Sequence, residues 1–256
     1  MMKLTFLGTG TSTGVPQLRC NCNVCRSTDS HDKRLRTSAL LEHDGQFTLI
    51  DCGPDFREQM FRAGAPDISS LLVTHSHYDH LGGIDDLRPF CSMEHPFPIY
   101  CLKDVAQRIR TVMPYSFPPN LYPGAPLLDL IEIKPYVEFK TVSGLDVMPL
   151  LIMHTDTLEI LGFRIGRLSY ITDCKIMPHE TFELLQGTDT LVINALRHEE
   201  HRSHMNLREA LSVIESVNPH RAYLTHFSHQ IGLHETLQRQ LPFGVYAAYD
   251  GLTIEI

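Results

Sequence analysis

The sequence predicts a mixed α/β fold in one domain over residues 1–256, and three features point there. Short apolar runs of strand length alternate with helical stretches along most of the chain. Two Asp-Gly dipeptides, Asp44-Gly45 and Asp250-Gly251, stand between apolar runs, the signature of hairpins with tight type I′ turns. The balance of 43% hydrophobic and 20% charged residues is that of an ordinary globular domain.

The elements follow in order. The first hairpin pairs Ser38–His43 with Gln46–Asp51. Phe56–Ala63 reads as a helix stopped by Gly64, and Ser70–Thr74 as the strand after it. From Cys91 to Pro126, seven prolines predict extended pieces and turns, a long loop that shapes a pocket mouth or crosses the surface. Val147–Met153 and Leu168–Thr172 are strands. Thr181–Gln186 is a helix stopped by Gly187, and Thr190–Asn194 the next strand. Asn206 with Glu209 forms a variant capping box that opens a helix over Leu207–Val217; Pro219 ends it before the strand Arg221–Thr225. The second hairpin joins Val245–Tyr249 to Leu252–Ile256.

At 256 residues, core size sets no limit, and disorder, collagen-like repetition and a disulfide-dense scaffold are excluded. No apolar run approaches the ~20 residues of a membrane span. The first ten residues turn polar and glycine-rich too soon for a signal peptide, so the expected compartment is the cytoplasm. A net charge of −8 argues against a broad nucleic-acid footprint but not against a small nucleotide. Fifteen histidines point to metal, and seven cysteines, three of them between Cys20 and Cys25, suit a metal cluster better than disulfides.

The chemistry centres on Thr74-His75-Ser76-His77-Tyr78-Asp79-His80, at the end of an apolar strand. In extended chain, residues two apart share a face, so His75, His77 and Asp79 converge, and His80 swings in as the chain turns toward a helix. One cation cannot use four such close ligands well; two cations sharing them can. Further ligands must come from other strand ends, where His154, Asp173 and His226 each stand as an apolar strand stops.

This pattern, with Leu49-Ile50-Asp51-Cys52-Gly53, resembles the metallo-β-lactamase superfamily across nearly the whole chain. The resemblance implies a four-layer αβ/βα sandwich, two mixed β-sheets flanked by helices, with two divalent metals at one edge. It implies that the first metal takes His75, His77 and His154. The second takes Asp79, His80 and His226, and Asp173 bridges both. Asp51 would orient a ligand imidazole.

Cys20-x-Cys22-x₂-Cys25 matches half a zinc site, with a fourth ligand owed from elsewhere. His229, three residues past His226, can supply the fourth ligand while His226 reaches the active site. Together, Gly8-Thr9-Gly10, Gly14-Val15-Pro16, the cysteine cluster and Thr225-His226-Phe227-Ser228-His229-Gln230 resemble the PhnP-like phosphodiesterases. That resemblance implies hydrolysis of a small phosphodiester, such as a ribosyl cyclic phosphate, with two divalent metals (Mn or Zn, alternatively Fe) and a separate structural Zn. The PQQ synthesis B proteins share the cysteine pattern, but their active-site histidine motif is typically degraded, whereas here it is complete.

Among the remaining histidines, His198 and His201 read as solvated loop residues. The setting of His204, in His204-Met205-Asn206-Leu207, resembles the segment that carries a catalytic histidine in the PhnP-like enzymes. His204 and Asp79 are therefore the expected catalytic residues. A hydroxide held between the cations would attack phosphorus, and His204 would protonate or hydrogen-bond the leaving oxygen. His31, His43, His95, His179, His220 and His234 have no companions at ligand spacing, and Cys52 and Cys174 read as packing residues. Gly8-Thr9-Gly10 lacks the Lys and spacing of a phosphate loop. The alternatives on this frame are a lactam, lactone or thioester hydrolase, a tRNA 3′-processing enzyme, and a non-catalytic binding protein. The sequence does not set the oligomeric state, for which a homodimer is the commonest outcome, and it points to no membrane and no long nucleic acid as partner.

Overall fold

The computed structural model describes residues 2–256. Two seven-stranded sheets face each other. The first is built from β1 (Met2–Gly8), β2 (Ser38–His43), β3 (Gln46–Ile50), β4 (Ile68–Leu72), β5 (Phe97–Cys101), β6 (Leu128–Glu132) and β14 (Thr253–Glu255), in the order β14-β1-β2-β3-β4-β5-β6. The second is built from β7 (Phe139–Lys140), β8 (Asp146–Met153), β9 (Glu159–Ile165), β10 (Leu168–Tyr170), β11 (Thr190–Asn194), β12 (Arg221–Thr225) and β13 (Val245–Ala247), in the order β13-β12-β11-β10-β9-β8-β7. Each sheet is mixed. From β3 to β6 and from β10 to β13 the neighbours run parallel, and the other pairs are antiparallel.

The helices are α1 (Asn23–Arg26), α2 (Phe56–Arg62), α3 (Tyr78–Leu81), α4 (Lys103–Val112), α5 (His179–Leu184), α6 (Leu207–Val217) and α7 (His234–Gln240). Strand periodicity explains how they cover the sheets. Ala39, Leu41, Ile50, Leu72 and Tyr100 meet Leu161, Phe163, Tyr170 and Val192 between the sheets. The alternate residues Leu40, Leu49, Leu71 and Ile99 pack outward against Phe56 and Met60 of α2 and Val105 and Ile109 of α4. On the far side Leu191, Ile193 and Leu224 meet Leu207, Ala210 and Ile214 of α6 and Leu237 of α7. Strands apolar on both faces demand cover on both, which gives the four layers that the family resemblance implied.

The first hairpin forms as expected, with Asp44 at φ 49° and Gly45 at φ 75°, both left-handed as a type I′ turn requires. The second does not. β13 pairs in parallel with β12 of one sheet while β14 pairs with β1 of the other, so Asp250-Gly251 carries a crossover between sheets. The reason is tertiary: the Asp250 carboxylate accepts hydrogen bonds from Thr9 N–H (2.9 Å), Thr9 Oγ1 (2.8 Å) and Leu35 N–H (2.7 Å). Local turn chemistry loses to that buried acceptor.

The proline-rich stretch is also more ordered than expected, since it contains β5 and the ten-residue α4. Both fit in and beside the window between Pro98 and Pro114, and Val105, Ala106 and Ile109 recur at helical spacing on the buried face. Smaller shifts occur elsewhere. The strand expected at Ser70–Thr74 runs Ile68–Leu72, and the helix expected at Thr181–Gln186 starts at His179, directly after Pro178. The capping box is present in full: Glu209 N–H donates to Asn206 Oδ1 (2.9 Å) and Asn206 N–H to Glu209 Oε2 (2.8 Å). Replacing Asn206 with Ala should lower stability by about 1 kcal/mol, read as a lower denaturation midpoint with an unchanged m-value.

Candidate metal centre

β3 and β4 run parallel in one sheet, and β10, β11 and β12 run parallel in the other. β8 is antiparallel to β9, which is antiparallel to β10, so β8 points the same way as β10. Parallel strands present their C-terminal ends along one edge, where open α/β sheets hold their ligands. Asp51 follows β3, the His75–His80 segment follows β4, His154 follows β8, Asp173 follows β10 and His226 follows β12. The seven side chains proposed from the sequence as ligands lie together there, and all but the exposed His77 are buried.

Two trios match the expected partition. The ligand atoms of His75, His77 and His154 lie within 4.8 Å of one another, and so do those of Asp79, His80 and His226. Asp173 touches both: its Oδ2 is 3.3 Å from His80 Nε2 and its Oδ1 3.1 Å from His226 Nε2, and its ligand atom also lies within 4.8 Å of those of His75 and His154. His75 and His77 meet at 3.0 Å between Nε2 and Nδ1, and the His80 and His226 rings stack at 5.8 Å.

Surrounding groups decide which ring nitrogens face inward. His80 Nδ1–H donates to Asp51 Oδ2 at 2.7 Å, which leaves Nε2 as the nitrogen that faces inward. His154 Nδ1–H donates to the Asp173 backbone carbonyl at 2.7 Å, with the same result. Asp51 also accepts from Thr74 N–H at 2.8 Å, and Thr74 Oγ1 bridges Asp51 and His75. The inward atoms His80 Nε2, His204 Nδ1 and both nitrogens of His226 are buried with no hydrogen-bond partner. Buried polar atoms are rarely left so, and a set of imidazole and carboxylate donors converging within ligand distance fits divalent cations.

The backbone is bent to achieve this. Asp51 (φ 61°), Asp173 (φ 56°) and His226 (φ 59°) are all left-handed, an uncommon conformation for residues other than Gly. Each occupies the turn just beyond a strand, where that bend swings the side chain into the edge. Two glycines allow the motif loop to sit close: a Cβ on Gly53 would lie 2.0 Å from Asp79 O, and one on Gly83 would lie 2.1 Å from Gly53 O.

Charge is concentrated here. Burial opposes ionisation of His80, yet Asp173, Asp51 and Asp79 hold its pKa well above the usual imidazole range. Burial, reinforced by the charge of His80, holds His75 well below that range. Burial likewise lowers His204 to about 2 against the pull of Asp173.

His204 reaches the site from the loop before α6. Its ring lies 4.7 Å from that of His154 and 4.8 Å from that of His226, with Nδ1 3.5 Å from Asp173 Oδ1. His154, Asp173 and His204 also satisfy the ligand-distance test. His201, expected in solvent, instead stacks on His204 at 5.1 Å and 24°. Its spacing from His204 carried no periodic signal, because the loop is irregular. Asn194, read from the sequence only as the end of a strand, braces the backbone after Asp173: its side chain accepts from Cys174 N–H (2.8 Å) and donates to Cys174 O (3.0 Å). A cavity of about 290 Å³ is lined by Ser76 and Tyr78 of the motif loop, by Asp85, and by Arg108, Met113 and Tyr115 of the proline-rich stretch.

The second cluster forms around α1. Cys20, Cys22, Cys25 and His229 place their ligand atoms within 4.8 Å of one another, with His229 Nδ1 3.5 Å from Cys20 Sγ and 3.3 Å from Cys22 Sγ. Burial opposes ionisation of Cys22, but the Cys25 N–H, His229 and the neighbouring thiols bring it down to about 6. Three thiols and one imidazole are the donor set of a closed tetrahedral zinc site. His31 and His234, without companions in the sequence, pair with each other at 4.8 Å between rings and with Tyr249, apart from any ligand group.

Asp51→Asn should weaken metal binding at the main centre by about 10–100-fold, measured by metal titration of the stripped protein. Cys22→Ser should abolish zinc uptake by the cysteine cluster while leaving metal uptake at the strand-end centre unchanged, read by titration of the stripped protein.

A family model described as "Beta-lactamase superfamily domain" matches residues 47–227. The octanoyltransferase of Porphyromonas gingivalis is 44% identical over 98% of this chain, and the chain spans about half (51%) of that protein's length. The crystal structure of a new diphosphatase from the PhnP family is similar at 36% identity and a TM-score of 0.91, covering 99% of this chain and 96% of that one. The Zn²⁺-bound PqqB of Methylobacterium extorquens shares the fold at 19% identity and a TM-score of 0.81, covering 99% of this chain and 100% of that one. With a metal-type cluster at the strand ends and a Cys₃His cluster beside it, the chain belongs to the beta-lactamase superfamily, in its PhnP-like branch.

Proposed function

We propose that this chain is a metal-dependent phosphodiesterase acting on a small, ribosyl- or nucleotide-like phosphodiester. The family is of hydrolase type and its fold implies divalent metals. The observation that carries the finer reading is the place of His204, against the rings of both His154 (4.7 Å) and His226 (4.8 Å). The likeness to a PhnP-family diphosphatase supports a phosphoryl rather than a carbonyl centre as the target.

In this reading His75, His77 and His154 hold one cation, Asp79, His80 and His226 a second, and Asp173 faces both. The cations, Mn²⁺ or Zn²⁺ with Fe²⁺ as an alternative, supply Lewis acidity that activates water near neutral pH and offsets charge on the phosphoryl oxygens. Asp51 keeps the His80 imidazole in its Nδ1–H tautomer. Asp79 sets the negative field that the cations and the substrate share. His204, with Nδ1 3.5 Å from Asp173 Oδ1, would present Nε2 to the leaving oxygen. A Cys₃His zinc pins the amino-terminal loop to the turn that carries His226. Free thiols in this number fit a reducing compartment, and we place the protein in the cytoplasm.

A second reading rests on one observation, the 44% identity to a protein named octanoyltransferase. On the same frame the activated water would attack an acyl ester or thioester carbonyl. Turnover of bis-p-nitrophenyl phosphate, compared with p-nitrophenyl octanoate and an octanoyl thioester, separates the two. The phosphodiesterase reading expects metal-restorable cleavage of the first; hydrolysis of the acyl substrates alone would overturn it.

His204→Ala should lower kcat on the phosphodiester by about 10²–10⁴ with metal content unchanged. Loss of a metal in that variant would make His204 a ligand instead.

A further inference from the structure

Asp173 Oδ1 and His204 Nδ1 lie 3.5 Å apart, yet the two residues come from different loops, one after β10 and one before α6. The residues that follow each of them are tied together. Met205 N–H donates to Cys174 O at 2.8 Å, and Leu196 N–H to Met205 O at 3.0 Å. Lys175 N–H donates to Met153 O at 3.0 Å, directly before His154. The last tie runs through side chains: Lys175 Nζ donates to Glu209 Oε1 at 2.8 Å, while Asn206 N–H donates to Glu209 Oε2 at 2.8 Å.

One carboxylate thus serves two partners on two loops. Lys175 stands two residues past Asp173, and Asn206 two residues past His204. The helix cap needs only the bond from Asn206 N–H, which a Gln at this position would also accept. The Lys175 ion pair lies outside the cap. Both of its side chains are partly buried, and a pair so exposed to solvent contributes little to stability by itself. Burial opposes ionisation of Glu209, but Lys175 and the Asn206 N–H hold its carboxyl below the usual range, so the bridge is charged. The neighbouring Arg208 guanidinium lies 3.6 Å from the Glu200 carboxylate. What the Lys175 pair adds is geometric: it fixes the distance between the two loops whose side chains meet in the site.

Resting on the phosphodiesterase reading, we infer that Glu209 is a positioning residue for His204: by holding Lys175 and the Asn206 N–H together, its carboxylate clamps the loop of His204 against the segment after Asp173 and fixes the imidazole relative to the leaving oxygen. A misplacement on the order of 1 Å at a group that assists a leaving atom is enough to slow the reaction severely.

The test compares two diesters on metal-loaded enzyme, thymidine 5′-(p-nitrophenyl phosphate) and thymidine 5′-(phenyl phosphate). Phenolate is the more basic leaving group and depends more on His204. Glu209→Gln retains an acceptor for Asn206 N–H but loses the charge that holds Lys175. It should lower kcat about tenfold on the phenyl ester and much less on the p-nitrophenyl ester, with KM and metal content unchanged. Lys175→Met should do the same, and Lys175→Arg, which keeps the cation, should retain wild-type turnover. In a His204→Ala background Glu209→Gln should cost nothing further, because the ring it positions is gone. Equal losses on the two esters, or a full further loss in the His204→Ala background, would overturn the inference, since Glu209 would then act on the metals or on the fold at large. Hydrogen exchange of the Met205 amide, bonded to Cys174 O, reads the clamp without turnover. It should quicken in Glu209→Gln and in Lys175→Met, and unchanged exchange in both would also overturn the inference. If wild type cleaves neither ester while exchange responds as expected, the function reading fails and the clamp on the His204 loop stands.

Discussion

The hydrogen bond from His80 Nδ1 to Asp51, at 2.7 Å between two fully buried side chains, is the contact on which the rest of the site depends. Burial pushes the Asp51 carboxyl up, while His80 and the Thr74 N–H and hydroxyl pull it back toward the ionised form. An acceptor so placed is costly to desolvate unless every lone pair is used, and here the motif loop uses them. Thr74 and His80 therefore have one arrangement available. His75, one bond from Thr74, and Asp79, one bond from His80, are carried into place with them.

That arrangement needs both sheets and some strain. Asp51 stands on one sheet edge, Asp173 and His226 on the other, and all three turn through left-handed backbone. Such conformations cost on the order of 1 kcal/mol or more each and persist only where the surroundings overdetermine them. The surroundings are visible: Gly53 and Gly83 let the α3 loop lie against the turn after β3, Asn194 ties the backbone after Asp173, and Phe227 N–H donates to Thr9 O at 2.9 Å just past His226. The inter-sheet core of Leu41, Ile50, Leu72, Phe163 and Tyr170 then sets the distance between the two halves of the site. A change in that core would be felt at the ligands.

The two ligand clusters share one turn. His226 faces the strand-end centre and His229 the thiols of Cys20 and Cys22. Between them Phe227 is buried under the Arg34 guanidinium, 4.5 Å from its ring centre, and Ser228 Oγ donates to Leu196 O at 3.0 Å. Leu196 begins the loop that carries His201 and His204. The Cys₃His cluster thus braces the same turn that supports the loop of His201 and His204, which couples the thiol cluster to the strand-end centre through a single turn.

Much of this could be read from residues that carry their own local signal. The His75–His80 spacing, the capping box at Asn206 and Glu209, the Asp44-Gly45 turn and the cysteine spacing each encode a geometry within a few residues, where backbone period and side-chain type are enough. His154, Asp173 and His226 were legible because an apolar strand stopping at a ligand-type residue is itself a local pattern. Pairing decided the rest. Asp250-Gly251 has the local chemistry of a hairpin, yet Thr9 and Leu35 capture its carboxylate and the flanking strands go to different sheets. Prolines suggested loop where α4 forms, because burial of Val105, Ala106 and Ile109 against the first sheet outweighs local punctuation. His201 looked solvated because nothing in its neighbours along the chain places it against His204. The sequence by itself determined which side chains could hold metal and which turns could form; the tertiary structure alone decided which partners met, since long-range hydrogen bonds and burial exceed the small local preferences that a sequence displays.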